Sequence, residues 1–316
     1  MIFQSSENQG GVSKQYAPVA LFVYNRPWHT KETVEALLQN PEAERTPLYI
    51  FADGAKPGLK DTGVDEVRAF IRQIVGFASL TIVERDSNFG LAKSIIDGVS
   101  RICREHGCVI VMEDDLVTSS FFLRYMNEGL EKYRNNDRVI SIHGYVYPVS
   151  EPLPETFFLR GADCWGWATW ERGWQLFESD GHQLMDNLRN GNLVRAFDFD
   201  NSYPYFRMLK NQVVGNNNSW AVRWYASAFL ADKLTLYPGR TLVTNIGVDG
   251  SGTHCAETTD FIGVMSDRCV VMDDILVEEL PEIRKIFSRF YRNARRLTLK
   301  NIVVKVLKKL KFILRK

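Results

Sequence analysis

No stretch of this chain approaches the ~18 uninterrupted apolar residues that a membrane-spanning helix requires, so none is expected in its 316 residues. Met1 to Ala17 has neither the basic lead nor the apolar run of a signal peptide. Cysteine is scarce, odd in number and scattered. Cys103, Cys108, Cys164, Cys255 and Cys269 form no C-x-x-C pair, which argues against a disulfide framework or a zinc site and for a reducing compartment. A cytoplasmic protein is the expectation. Two nucleotide signatures are missing as well. There is no G-x-x-x-x-G-K followed by Ser or Thr, and no G-x-G-x-x-G after the first apolar run. No internal repeat and no Pro/Gly linker divides the chain.

What is present is enough apolar residue, 45% hydrophobic and 12% aromatic, to bury one large core or two modest ones. The net charge of +1 hides an asymmetry. Residues 284–316 hold thirteen Lys or Arg and no acid, which leaves the remainder near −12.

Taken in order, residues 1–17 form a polar lead with little to bury. Val19 to Tyr24 reads as a buried strand, and Pro27 sits in the first turn of a helix running from about Trp28 to Gln39. Leu48 to Phe51 and Leu80 to Val83 are further strands, with helices over Val64 to Val75 and from Gly90 to His106. Val109 to Met112 is a fourth strand, Phe121 to Arg134 a helix, and Val139 to Ile142 a strand. Strand–helix alternation with short connectors predicts βαβ units and a parallel sheet. Beyond residue 142 that rhythm is lost. There an aromatic, glycine-bearing segment (Gly161 to Trp170) precedes helices at 182–190 and 219–231 and short strands at Leu234 to Tyr237 and Thr241 to Thr244. Trp220 and Trp224, at i, i+4 spacing, are expected in the core. One domain over 18–282 and a tail over 283–316 follow from this pattern.

The fourth strand runs straight into Glu113-Asp114-Asp115. Three adjacent acids repel one another unless a cation or a hydroxyl-rich ligand takes up the charge. The competing reading is an acidic turn capping a helix that starts near Thr118. Ligands of parallel sheets bind outside the carboxyl ends of the strands. The polar ends here are Asn25-Arg26, Asp53-Gly54, Asp86 to Asn88 and Glu113 to Asp115, all on one edge if the strands are parallel. Hard oxygen ligands at such an edge suit Mn2+ or Mg2+ bound together with substrate phosphates.

The ordered set Asn25-Arg26, Asp53-Gly54, Asn88 with Gly90, Glu113-Asp114-Asp115 and Gly166-Trp167 resembles GT-A-fold nucleotide-sugar glycosyltransferases. It is closest to bacterial sugar transferases of surface-polysaccharide synthesis and to the N-acetylglucosaminyltransferase I family, and the resemblance covers about residues 18–255. It implies an α/β GT-A fold, a Rossmann-like, mostly parallel sheet flanked by helices. It implies transfer of a hexosyl or N-acetylhexosaminyl unit from a nucleotide sugar, UDP-linked by preference, to a glycan or lipid-linked acceptor, with Mn2+ or Mg2+. Carried over, Arg26 contacts the diphosphate or nucleoside and Asp53 the base. Glu113 and Asp114 face ribose and sugar hydroxyls, and Asp115 holds the metal. Asn25, Asn88 and Lys93 flank the donor, and Trp165 and Trp167 wall the sugar pocket, with core packing the competing reading for each tryptophan. His254 is a further candidate metal or phosphate ligand. One departure is plain: the family's W-D-D-W base segment matches only Trp220-Ala221-Val222-Arg223-Trp224, which has no carboxylate. Asp163, Asp249 and Glu257 are the candidate bases for an inverting transfer, and a retaining transfer is the alternative.

From Ile302 the tail repeats apolar residues at 3, 4 and 7 spacing with lysines between, an amphipathic basic helix suited to an anionic membrane surface. No nucleic-acid-binding motif accompanies it. The expectation is a metal-dependent glycosyltransferase peripheral to the inner membrane face. The alternatives are a sugar-nucleotide nucleotidyltransferase, although Tyr24 to Pro27 is not its usual glycine-rich loop, and a non-catalytic sugar-nucleotide-binding protein.

Overall fold

The computed structural model describes residues 16–58, 60–249 and 260–295. Its first half is β1 (Val19–Val23), α1 (Pro27–Leu38), β2 (Pro47–Ala52), α2 (Thr62–Ile71), β3 (Ser79–Glu84), α3 (Leu91–His106) and β4 (Cys108–Glu113). β1 pairs parallel with both β2 and β4, and β2 with β3. From β1 the chain steps outward to β2 and β3. It then crosses back to set β4 on the other side of β1, giving the order β3-β2-β1-β4. The carboxyl ends of β1 and β4 therefore flank a topological switch point, the crevice where open α/β sheets bind ligands. All five residues of β1 are buried. Strands covered on both faces show no polar alternation, which is why β1 and β4 read as continuous apolar runs.

Local signals set the helix ends. Asp61 caps α2 by accepting the Gly63 N–H at 3.1 Å. α3 begins after Gly90 and ends at Gly107, both at positive φ, so the glycines serve as its start and stop. It buries Ala92, Ile95, Val99 and Ile102 along one stripe. A Cβ at Gly98 would lie 2.7 Å from the Phe22 ring, so this helix reaches the sheet only because that position is bare.

The second half adds β5 (Leu116–Thr118), α4 (Phe122–Lys132), β6 (Val139–His143), β7 (Thr156–Leu159) and β8 (Trp167–Trp170). Then come α5 (Glu171–Trp174), α6 (Gly181–Asn190), α7 (Val194–Phe197), α8 (Tyr205–Val213), α9 (Ala221–Leu230), β9 (Leu234–Pro238) and β10 (Val243–Asn245). The sheet completes as β3-β2-β1-β4-β8-β6-β9-β7. β8 runs antiparallel to β4 and β6, and β7 antiparallel to β9, while β6 and β9 are parallel. This is a mixed α/β fold whose sheet is mostly parallel and flanked by helices. β5 and β10 form a separate antiparallel ribbon. α4 starts only at Phe122, with β5 intervening, so the acids of β4 do not cap it.

Two expectations need correction. The segment Gly161 to Trp170, for which no strand is expected, ends in β8, a strand inserted between β4 and β6. Trp167 is 0% exposed there. Its ring packs against Trp174, Trp220 and Trp224 at 5.5–5.9 Å, so it belongs to the core. The body also does not stop at residue 282. A helix over residues 281–295 buries Ile283, Phe287 and Tyr291. Phe287 meets the Tyr147 and Phe157 rings at 5.1 and 5.8 Å. Arg284 and Arg289 pair with Glu279 and Glu151 at 3.1 and 2.7 Å. Counting basic residues hid an apolar stripe at i, i+4, i+8. The amphipathic repeat from Ile302 lies outside the described residues.

Candidate functional site

The ends of four parallel strands meet at a cavity of about 580 Å3 lined by Asn25, Arg26, Asp53, Asn88, Glu113, Asp114, Asp115 and Trp165, among others. Its centre is an ion cluster. The Arg26 guanidinium, one turn past β1, bonds Asp114 and lies 2.9 Å from Asp115 Oδ2. Burial works against the Arg26 charge, yet Asp114 and Asp115 raise its pKa above the ordinary guanidinium value. Burial raises Asp114 above the usual carboxylate range, and Arg26 only partly offsets this. Glu113 is pushed up to about 8 by burial, then by Asp115 and Asp114. One arginine thus faces three carboxylates, and the cluster is short of positive charge.

The backbone around these acids is tightly fixed. Thr33 Oγ1 donates to the Asp114 carbonyl at 2.9 Å, and Ile246 N–H donates to the Asp115 carbonyl at 2.9 Å. The β5–β10 ribbon brings Gly247 against Asp115. A Cβ on Gly247 would fall 2.2 Å from Asp115 Oδ2 and 3.0 Å from Arg26 Nη1, so the carboxylate fits only beside glycine. Asp114 Oδ2 is buried with no hydrogen-bond partner among the described residues.

These features fit a hard divalent cation. Asp114 Oδ2 and Asp115 would supply oxygen ligands, in the place where Arg26 now pairs with both residues. Among the described residues no group of three or more His, Cys, Asp or Glu could enclose a metal ion. The fit is therefore to a cation that shares its ligands with substrate phosphates and water.

The other expected residues divide. Asp53 lines the cavity, but its carboxylate accepts backbone N–H groups from Gly54, Phe89 and Gly90 at 2.9, 2.7 and 2.9 Å. It pins the loop after β3 to the end of β2. Asn88 adds to that staple by donating to the Gly54 carbonyl at 2.9 Å. Asn25 lines the cavity and donates to Asp61 at 2.8 Å. Lys93 is a correction. It is exposed on α3 with its ammonium 4.0 Å from the centre of the Phe89 ring, and it is not part of the cavity lining. Lys56, from the loop after β2, lines the cavity instead, as do Asn218 and Asn245. None of these three carried a sequence signal, because each reaches the site from a loop or the far ribbon. Asp249 ends the 3-10 turn Gly247–Asp249 that follows the ribbon. His254 and Glu257 lie outside the described residues.

Trp165 is half-buried and lines this cavity together with a second, aromatic one that also holds Asp163. Its backbone N–H donates to His143 Nε2 at 3.2 Å. His143 is fully buried, and desolvation lowers its pKa to about 3. A depressed folded-state pKa means stability that is complete above the unfolded value near 6.5 and lost as pH falls toward 3. We expect the wild-type unfolding free energy to drop by up to about 3 kcal/mol more than that of His143→Gln between pH 6.5 and 4. Urea titrations across that range check it; parallel pH profiles would contradict it.

No family model and no curated protein matches the sequence. Among solved structures, the chain is similar to mannosyltransferase PcManGT from Pyrobaculum calidifontis in complex with GDP-Man and Mn2+. The TM-score is 0.35 and the identity 12%, over 69% of this chain and 75% of that one. It is also similar to S. aureus TarS, with TM-score 0.30 and 13% identity over 46% of this chain. The match spans only 24% of TarS.

Proposed function

We propose that this protein is a metal-dependent glycosyltransferase that takes a sugar from a nucleoside diphosphate donor. The observation that carries the reading is the charge-deficient cluster of Arg26 with Glu113, Asp114 and Asp115 at the switch point between β1 and β4. Asp115 and Asp114 would hold Mn2+ or Mg2+, which would take over the charge that Arg26 now pairs and release its guanidinium toward the diphosphate. A bound cation would neutralise charge on the departing diphosphate as the glycosidic bond breaks. Arg26 would add a charged donor at that leaving group, and Glu113 an acceptor oxygen toward donor hydroxyls. Asn25 and Asp53 would border the nucleoside, UDP by preference, and Trp165 the transferred sugar. The acceptor is a glycan or lipid-linked glycan of cell-surface polysaccharide synthesis. A panel of UDP-, GDP- and dTDP-sugars assayed for nucleoside diphosphate release tests this. Release from one donor class, dependent on Mn2+, is the expected result; no release from any donor would overturn the reading.

A lipid-linked acceptor calls for a membrane contact. Among the described residues no helix is long and apolar enough to cross a bilayer. Residues 296–316 carry eight Lys or Arg, each worth about 1 kcal/mol near an anionic surface. Because residues 281–295 pack on the body, the informative truncation ends at Arg295. The full chain should co-sediment with phosphatidylglycerol vesicles and the truncated chain should not. Equal co-sedimentation would contradict membrane docking by this segment.

A further inference from the structure

The aromatic cavity beyond Trp165 has a volume of about 430 Å3, within the ~300–1,000 Å3 typical of small-molecule sites. Three chain segments run from the donor cavity into it. Trp165 lines both, Asn218 leads to Ala221 and Val222, and Asn245 leads to Val248. The two spaces are neighbours built on shared walls.

Aromatic faces dominate the wall, with Tyr145, Trp165, Tyr203, Tyr205 and Tyr291 prominent. At one side lies Asp163. Its two oxygens accept hydroxyls from Tyr147 at 2.9 Å and Tyr237 at 2.7 Å, and no cation pairs with it among the described residues. Each carboxylate oxygen can accept a second hydrogen bond, so a ligand hydroxyl would find an acceptor there. Burial raises the Asp163 pKa even though both tyrosines favour the charged form, so the carboxylate is held at a cost to the fold. A second cost lies elsewhere in the lining. Phe199, Asp200 and Asn201 stand consecutively at φ 46, 56 and 63°, a left-handed run that L-residues avoid and that tends to mark functional surfaces. Phe199 lines the cavity.

An apolar guest would use the rings and leave the carboxylate without a donor. A pyranose ring uses both, because its C–H faces stack on aromatics while its hydroxyls seek acceptors. We propose that this cavity is the acceptor site. In it a pyranose ring stacks among Trp165 and the tyrosines, with one hydroxyl hydrogen-bonded to Asp163, beside the donor. The inference rests on the donor reading of the neighbouring cavity.

Saturation-transfer NMR with the methyl pyranosides of glucose, galactose, mannose and N-acetylglucosamine, in the presence of UDP or GDP and Mn2+, tests it. At least one glycoside should receive saturation from the wild-type protein. Tyr203→Leu and Asp163→Asn should each cut that signal at least fivefold while keeping nucleoside diphosphate affinity within twofold. Tyr203 is half-buried, so its variant serves if Asp163→Asn fails to fold. No glycoside signal in the wild type, or undiminished signal in the folded variants, overturns the acceptor site. Failure of the donor reading looks different: the wild type would bind neither UDP nor GDP.

Discussion

An Asp115→Asn protein should release nucleoside diphosphate from its sugar donor about a thousand-fold more slowly than the parent, the scale of losing a central electrostatic contact in a transition state. The substitution keeps shape and removes charge. Asp115 is buried between Arg26 and Gly247, and an amide there offers one neutral oxygen to a cation and pushes an N–H2 toward the guanidinium. The fold should tolerate the change, because Asn preserves the volume beside Gly247 and the Ile246–Asp115 backbone bond is untouched. A variant that turned over within tenfold of wild type would remove Asp115 from the site's centre.

Glu113→Gln should do the opposite to stability. In the fold Glu113 is raised to about 8. The stability it contributes is therefore full below its unfolded value near 4.5 and is lost as pH rises through 8. At neutral pH the unfolded chain releases that proton readily and the folded chain does not, which destabilises the protein. Gln removes the penalty. Allowing for partial solvation, the gain at pH 7 is on the order of 2 kcal/mol, or about 5 °C in Tm. Calorimetry in EDTA should show it, and added Mn2+ with UDP or GDP should narrow the gap by stabilising the wild type. A lower Tm for Glu113→Gln in EDTA would refute the charge-deficient cluster. On the proposed function, acids that the reaction uses and the fold resists are a form of stability–activity trade-off.

The same pair of observations explains what the residues disclosed unaided. β1 and β4 were legible because strands buried on both faces are unbroken apolar runs. Their polar ends were legible because only a parallel sheet puts Arg26 and Asp115 on one edge. Trp165 and Trp167 could not be told apart, since two residues of a glycine-bearing segment give no phase. One faces a cavity, and the other sits in a cluster with Trp174, Trp220 and Trp224. Lys93 satisfied a local pattern, but its helical position turns it to solvent over Phe89. Asp53 was found for its place and not for its partners, because backbone N–H groups leave no mark in a sequence. The aromatic cavity was illegible for a deeper reason. His143, Asp163, Phe199, Tyr225 and Tyr291 come from five separated segments, and only long-range packing gathers them. The helix over 281–295 was masked by its own charge, although Ile283, Phe287 and Tyr291 keep helical spacing.

The central claim is that Asp115, Asp114 and Arg26 hold a nucleoside diphosphate through a divalent cation. Calorimetric titration of UDP and GDP into the full chain, with Mn2+ and then with EDTA, tests it most directly. One nucleotide should bind at least tenfold tighter with Mn2+, and Asp115→Asn should abolish this difference. Binding of equal strength with and without metal, or no binding of either nucleotide, would contradict it.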